Sequence, residues 1–275
     1  MKPVSIAVLV FSVLAITSVF AKGNPEQRAN SGKVWDSGSF GVFVNGRRVA
    51  TEKFEIEQKE SSSLTVSEFK TQRGKVNAEQ KAEMELAPSG NLLSYVWQAT
   101  SPQKQETRVD FKDQLLVEHV MPDDQKEVDI KHFLPASTVI LDDNFFSQRE
   151  VLLWHYLATC SRHSGDLACK PATFAVLIPQ QHVSQDATMH LLGQEKSGFS
   201  GVEQELIKVE LDMRDPQQVF WMNEKPGKAD MKWILWVDEH YKLVKITVPG
   251  TSIQVLRDGQ PSPVSVGALN ATPRK

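Results

Sequence analysis

Polar and apolar residues alternate along most of this chain, and a two-residue period predicts β-strands. In VNAEQKAEMEL, Ala78, Ala82, Met84 and Leu86 share one phase, while Glu79, Lys81, Glu83 and Glu85 share the other. Such a strand has one wet and one buried face, as antiparallel sheets do. In GSFGVFVNGRRVATEKFEIEQ, Asn45-Gly46 separates two strand-like runs. Both residues tolerate the positive φ angles of a two-residue type I′ turn, so the segment predicts a hairpin. Further strands are expected at SSSLTVSEF, LLSYVWQAT, ETRVDF, QLLVEHV, KEVDIKHF, TFAVLIP, ATMHLLGQEK, VEQELIKVEL, QVFWMN, KWILWVDEH, LVKITVP and IQVLRD. Within VEQELIKVEL the phase breaks between Leu206 and Ile207, which predicts a bulge or a change of face.

One segment breaks the pattern. In VILDDNFFSQREVLLWHYLATC, Leu153, Tyr156, Leu157 and Cys160 recur at i, i+3, i+4 and i+7, the spacing of one helical face. Ser147 followed three residues later by Glu150 reads as a capping box, so a helix is expected from about Gln148 to Thr159. Asp142-Asp143-Asn144 reads as the turn before it, its charge favoured by the helix dipole. The expected fold is mainly β: a curved antiparallel sheet or incomplete β-barrel, with one central α-helix packed on or across its concave face.

The ends are different again. Lys2, an apolar run from Val4 to Ile16 and the small-residue exit before Ala21 have the layout of a secretory signal, with cleavage expected after Ala21. Residues 22–34 read as a flexible lead-in, 35–257 as a single β-rich domain with a helical insertion near 142–170, and 258–275 as a flexible tail. No later run reaches the roughly 18 apolar residues of a membrane helix, so no transmembrane segment is expected after the signal. Losing the signal removes Lys2 and takes the formal charge from -3 to -4. That balance offers no electrostatic reason to expect nucleic acid as partner. Asn270-Ala271-Thr272 matches a glycosylation sequon at background frequency.

Candidate chemistry is sparse. Cys160 and Cys169 bracket SRHSGDLA, and for an exported protein such a pair reads as a disulfide. Closing a loop of about ten residues restrains the unfolded chain by roughly 2.5 to 3 kcal/mol. A metal set of His155, Cys160, His163 and Cys169 is the competing reading, but its spacing matches no known ligand pattern. SGFSG at Ser197 to Gly201 lacks the spacing of a nucleophile elbow, and there is no phosphate loop or dinucleotide fingerprint. No catalytic residue, metal or cofactor is expected. The aromatic residues remain. In KWILWVDEH, Trp233 and Leu235 share one face, Ile234 and Trp236 the other, so this strand has two apolar faces.

The closing WILWVDEHYKLVKITVPGTSIQVLR, after a signal, antiparallel strands and one helical insertion, resembles the periplasmic lipoprotein-carrier superfamily and related uncharacterised exported domain families. The resemblance implies an incomplete antiparallel barrel whose concave apolar face is closed by helices, in proteins that carry or sense lipid-like groups. It carries over no catalytic residues, and this chain shows one clear helix where the carriers use several. The expected protein is therefore an exported, periplasmic or extracellular, non-enzymatic binding protein for a lipid-like or other apolar ligand. Its expected ligand contacts are Phe145, Phe146, Trp154, Tyr156, Trp233 and Trp236. The alternative is a cell-envelope structural or assembly protein that binds another protein through an apolar surface. Protein taken from its native compartment and denatured without reductant should show no titratable thiol at Cys160 or Cys169; two free thiols would refute the pairing.

Overall fold

The computed structural model describes residues 32–71, 77–123, 126–163, 166–199, 202–213 and 231–259. The expected signal, the sequon at Asn270, nearly all of the lead-in and tail, and the expected strand QVFWMN lie outside them. β1 (Lys33–Val44) starts two residues before the expected domain boundary and turns into β2 (Arg47–Gln58) at Asn45-Gly46, with φ of 51° and 71°. A meander follows through β3 (Ser63–Thr71), β4 (Glu79–Leu86), β5 (Leu92–Ser101), β6 (Gln105–Lys112), β7 (Leu115–Pro122) and β8 (Val128–His132). After β9 (Val139–Ile140) comes α1 (Phe146–Ala158), then a small ribbon of β10 (Ser161–His163) and β11 (Asp166–Ala168). A second meander comprises β12 (Ala172–Ile178), β13 (Val183–Phe199), β14 (Val202–Met213), β15 (Met231–Val237), β16 (Leu243–Thr247) and β17 (Ile253–Arg257).

β17 returns to pair antiparallel with β1, Val42 opposite Val255, and so joins the two meanders. Among the described residues this makes one 15-stranded sheet, in the order β8-β7-β6-β5-β4-β3-β2-β1-β17-β16-β15-β14-β13-β12-β9. Only the short β9 runs parallel to its neighbour, β12. The sheet curves but does not close into a barrel, since β8 and β9 remain as edges. The alternation read from β4 is seen: Ala82, Met84 and Leu86 are buried, and Lys81 and Glu83 are exposed.

α1 lies on the concave face, touching strands from both meanders. Phe145, Phe146, Leu152, Leu153 and Tyr156 pack with Phe40, Phe54, Tyr95, Leu211, Trp233 and Leu235 in one core. Each turn of the helix is also tied to the sheet by a polar contact. The Tyr156 hydroxyl accepts the Leu191 N–H at 2.9 Å, beside a register shift between Leu191 and Gly193. The Arg149 guanidinium, fully enclosed, lies over the Trp233 ring at 4.6 Å and donates to the Asp142 and Phe145 carbonyls.

The helix start differs from the capping box. The helix begins at Phe146 with Phe145 at the cap position, and no side chain of the segment caps it. The cap comes from β2: Glu52 accepts the Phe146 N–H at 2.6 Å, the Ser147 N–H at 3.3 Å and the Ser147 hydroxyl at 2.7 Å. Ser147 also contacts the Ser67 hydroxyl on β3 at 2.7 Å. Glu150 instead meets Arg257 of β17, which also holds Asp36. A local cap lost because α1 starts inside the sheet, where Glu52 stands on the inward phase of β2 between buried Ala50 and Phe54. The acidic turn is likewise enclosed rather than wet. Tyr95 donates its hydroxyl to Asp142, which also accepts the Gln180 N–H at 3.0 Å, and the Asp142 N–H donates to Gln148.

These acids pay for their burial in proton affinity. Burial pushes Glu52 up to about 7 against the pull of its Ser147 and Phe146 donors. It also pushes Asp142 up to about 7 against those of Tyr95 and Gln180. Their ordinary values are 4.5 and 3.8, so between those values and about 7 the folded chain binds more protons than the unfolded one. Stability therefore falls as pH rises through that window. Urea denaturation should give a higher midpoint at about pH 5.5 than at about pH 8, and Glu52→Gln should remove about 2 kcal/mol of the difference. An equal pH dependence in both proteins would contradict this account.

A groove over the outer face of the helix

The helix has a second face. Val151, Trp154, His155 and Ala158 also recur at i, i+3, i+4 and i+7, and this stripe borders the core, running from buried Val151 through half-buried Trp154 and His155 to exposed Ala158. It floors three clefts that share walls. The first, about 340 Å³, lies between Trp35, Ile56, Leu86, Gly90 and the helix stripe. The second, about 430 Å³, continues past Trp35 and Trp154 to His240, Tyr241 and Lys242. The third, about 460 Å³, leaves the first at Gly90 and His155 and ends at Thr138 and Phe174. Because neighbouring clefts share Trp35, Trp154 and Ala158, or Leu86, Gly90, Val151 and His155, they form one groove. Each is within the size range of small-molecule pockets.

A backbone irregularity aims one wall. Val34 pairs with Glu57 and Asp36 with Ile56, which leaves Trp35 as the extra residue of a bulge in β1. Bulges re-aim side chains. Trp35 is 57% exposed and its ring lies 6.1 Å from that of Trp154, while Asp36 turns inward. The Trp154 indole N–H donates to the Tyr241 carbonyl at 2.7 Å, which locks the ring to the turn before β16. Tyr241 has φ of 61°, and Arg162 lies over its ring at 5.8 Å and donates to its hydroxyl. His155, half-buried against Gly90, makes no hydrogen bond among the described residues, and burial pulls its pKa down toward the neutral imidazole.

The residues expected to touch ligand are distributed differently. Phe145, Phe146, Tyr156 and Trp233 are buried to within 2% and pack against each other and the sheet, and none lines the groove. Trp154 does line it. Trp236 is on the opposite face of the sheet, against Leu206 and Val244, with the Lys208 and Lys245 ammonium groups 4.7 and 5.5 Å from its ring. Strand alternation makes a shared pocket for Trp233 and Trp236 impossible. Cys160 and Cys169 are joined as a disulfide, Cα atoms 4.4 Å apart, which ties the end of α1 across the small ribbon and consumes both thiols of the competing metal set. The His163 side chain of that set lies outside the described residues.

Trp35, Tyr241 and Arg162 were missed by sequence reasoning, because a bulge, a left-handed turn and a ribbon bring them together. The stripe itself was legible as a second 3.6-residue pattern on the same helix. One further cluster, His119 on β7 with Glu127 just before β8 and Asp129 on it, gathers ligand types around its Nδ1, at 3.1 and 2.8 Å. Both acids are exposed, and the geometry is that of an ordinary surface ion pair. No helix among the described residues is long and apolar enough to cross a membrane.

The fold has a counterpart among solved structures. The crystal structure of a beta-barrel-like protein of the domain of unknown function DUF1849 from Brucella abortus is similar to this chain with a TM-score of 0.52 at 10% identity, covering 82% of this chain and 96% of that one. At that identity the likeness is one of fold. A scan of protein-family models and a search of curated proteins both find no match. The comparisons thus support a beta-barrel-like fold and supply no link to the lipoprotein carriers.

Gly90 is the most constrained point of the groove. Its φ is +83°, and a Cβ there would sit 2.3 Å from His155 Cε1. Gly90→Ala should cost about 1 to 2 kcal/mol in urea denaturation and shift the His155 ring resonances in NMR spectra. Unchanged ring resonances would show that His155 does not pack on this turn.

Proposed function

We propose that this chain is an exported, non-enzymatic binding protein that takes a lipid-like, apolar ligand in the groove over α1. The observation that carries the reading is the partly exposed stripe of Trp154, His155 and Ala158, with buried Val151 at its foot, facing an exposed Trp35 across a largely apolar groove. Ordinary packing would bury such a stripe under a strand or second helix. The groove is also preorganised: Trp154 is held by Tyr241, and the helix beneath it by Glu52 and Arg257. Rigid walls lower the ordering cost of binding. A disulfide-joined β domain fits an oxidising compartment outside the cytoplasm.

The alternative, an envelope assembly protein, has its own support in Phe133. This residue is 88% exposed just past the end of the edge strand β8, whose first residue, Val128, is half-exposed. Exposed apolar residues along a free sheet edge are a feature of protein-binding surfaces.

Purified protein should copurify with lipid detectable by mass spectrometry, and its tryptophan fluorescence should respond saturably to fatty acids. Trp154→Ala should weaken that binding about tenfold, the loss of one aromatic wall. No copurifying lipid and no saturable response would remove this reading and favour the edge of β8, where Phe133→Ser would then abolish partner capture.

A further inference from the structure

We propose that the edge strand β8 is a self-association surface: a second copy of this chain pairs with it antiparallel, about a two-fold axis through Ile130, so that Asp129 of each copy meets Lys131 of the other. The inference goes beyond the groove and holds whatever fills it.

β8 is a free end of the sheet. Among the described residues no strand lies beyond it, so its outward N–H and C=O groups have no strand to meet. It pairs with β7 along its whole length, from Val128 opposite Val120 to His132 opposite Leu116, without a register shift. Its sequence, VDIKH, contains no proline. The bulges and prolines that commonly block such edges are therefore absent. Nor does the next segment fold back over the strand. The Ala136 carbonyl accepts the Leu92 N–H at 3.0 Å, so the chain leaves along the end of the sheet toward β5. The opposite edge, β9, offers only two residues, of which Ile140 is buried.

Pleating and symmetry restrict how two such edges meet. Residues directly opposite in an antiparallel pair share a face, and a two-fold axis normal to the sheet keeps the two outer faces on one side. Asp129 and Lys131 belong to the outer face, with His119, whereas Ile130 pairs with buried Glu118 on the inner one. An axis through Asp129 sets that carboxylate against itself, and an axis through Lys131 brings two ammonium groups together. Like charges directly opposite are unfavourable. Axes nearer the strand ends pair fewer residues of β8. The axis through Ile130 alone spans the strand without a like-charge pair: Asp129 meets Lys131 on both sides of it, Ile130 meets Ile130, and half-exposed Val128 meets His132.

Both charged groups are available for this. Lys131 makes no ion pair among the described residues. Asp129 lies 2.8 Å from the His119 ring, yet its side chain remains 52% exposed. Arg108, opposite His119 on β6, is taken up by Glu106 at 2.6 Å. A lysine on an edge strand ordinarily opposes pairing, but here the second copy supplies its acid. An interface built on five residues is small, which makes the dimer weak and concentration-dependent.

Sedimentation velocity of the purified protein at low salt, from about 1 µM to about 300 µM, should show monomer passing into dimer. Asp129→Lys and Lys131→Asp are surface substitutions, and each alone places like charges across the axis. Each should weaken the dimer about tenfold. Mixed in equal amounts, the two variants should recover wild-type association, because in the mixed dimer every acid again faces a base. That recovery also shows both variants to be folded. A monomer at every concentration would overturn the inference, even if the edge captured a different protein. So would a dimer indifferent to both substitutions, or two weakened variants that fail to rescue each other. Lipid binding in the groove, read by tryptophan fluorescence, stands or falls separately from each of these results.

Discussion

A single buried carboxylate sets the position of the helix. Glu52 reaches from β2 into the concave face and takes the first free amides of α1, which have no partner in their own segment. A helix end buried without such partners would leave several donors unsatisfied, each costing about 1 to 3 kcal/mol. With its start fixed there, α1 has one orientation in which Leu152, Leu153 and Tyr156 fill the core. The same orientation leaves Trp154 and His155 half-buried and Ala158 exposed, and the groove is the consequence.

The interior is accordingly a plug rather than a cavity. Phe145, Phe146 and Trp233 close the space that an empty half-barrel would offer, and Arg149 fills its polar part. Burying an arginine is costly unless acids and aromatic faces surround it. Here Asp143, Glu52 and Asp142 raise its proton affinity against the loss of water, and Trp233 and Phe146 supply ring faces. The proposed binding therefore falls to the outer groove. That groove inherits its rigidity from the polar ties of the helix: Glu52 at its start, Arg257 through Glu150, Leu191 through Tyr156 and Tyr241 through Trp154.

Particular residues show how far the chain could be read in advance. The strand faces of β4, the Asn45-Gly46 hairpin and the core face of α1 were legible because each depends on spacing within one element. The break expected within VEQELIKVEL is not found: β14 alternates regularly, with Leu206 beside Val244 and Trp236 on one face and Ile207, Val209 and Leu211 in the main core on the other, and the bulge falls instead on the neighbouring β13 between Leu191 and Gly193. The capping box at Ser147 and Glu150 misled, because a local rule assumes that no better partner arrives from elsewhere. Glu52 was visible as an acid on the apolar phase of its strand, but its partner, 94 residues away, was not.

The sequence by itself determined the strand-rich class, the central helix and the pairing of two cysteines, since periodicity and the chemistry of a lone close pair act over short stretches of chain. Only the tertiary structure decided which aromatic rings are core and which are wall. Trp35 became a wall through a bulge, Tyr241 through a turn with positive φ, and Trp233 and Trp236 were separated by the sheet between them. Those outcomes depend on register, curvature and contacts between residues far apart in the chain, and such long-range geometry leaves no period in the sequence to read.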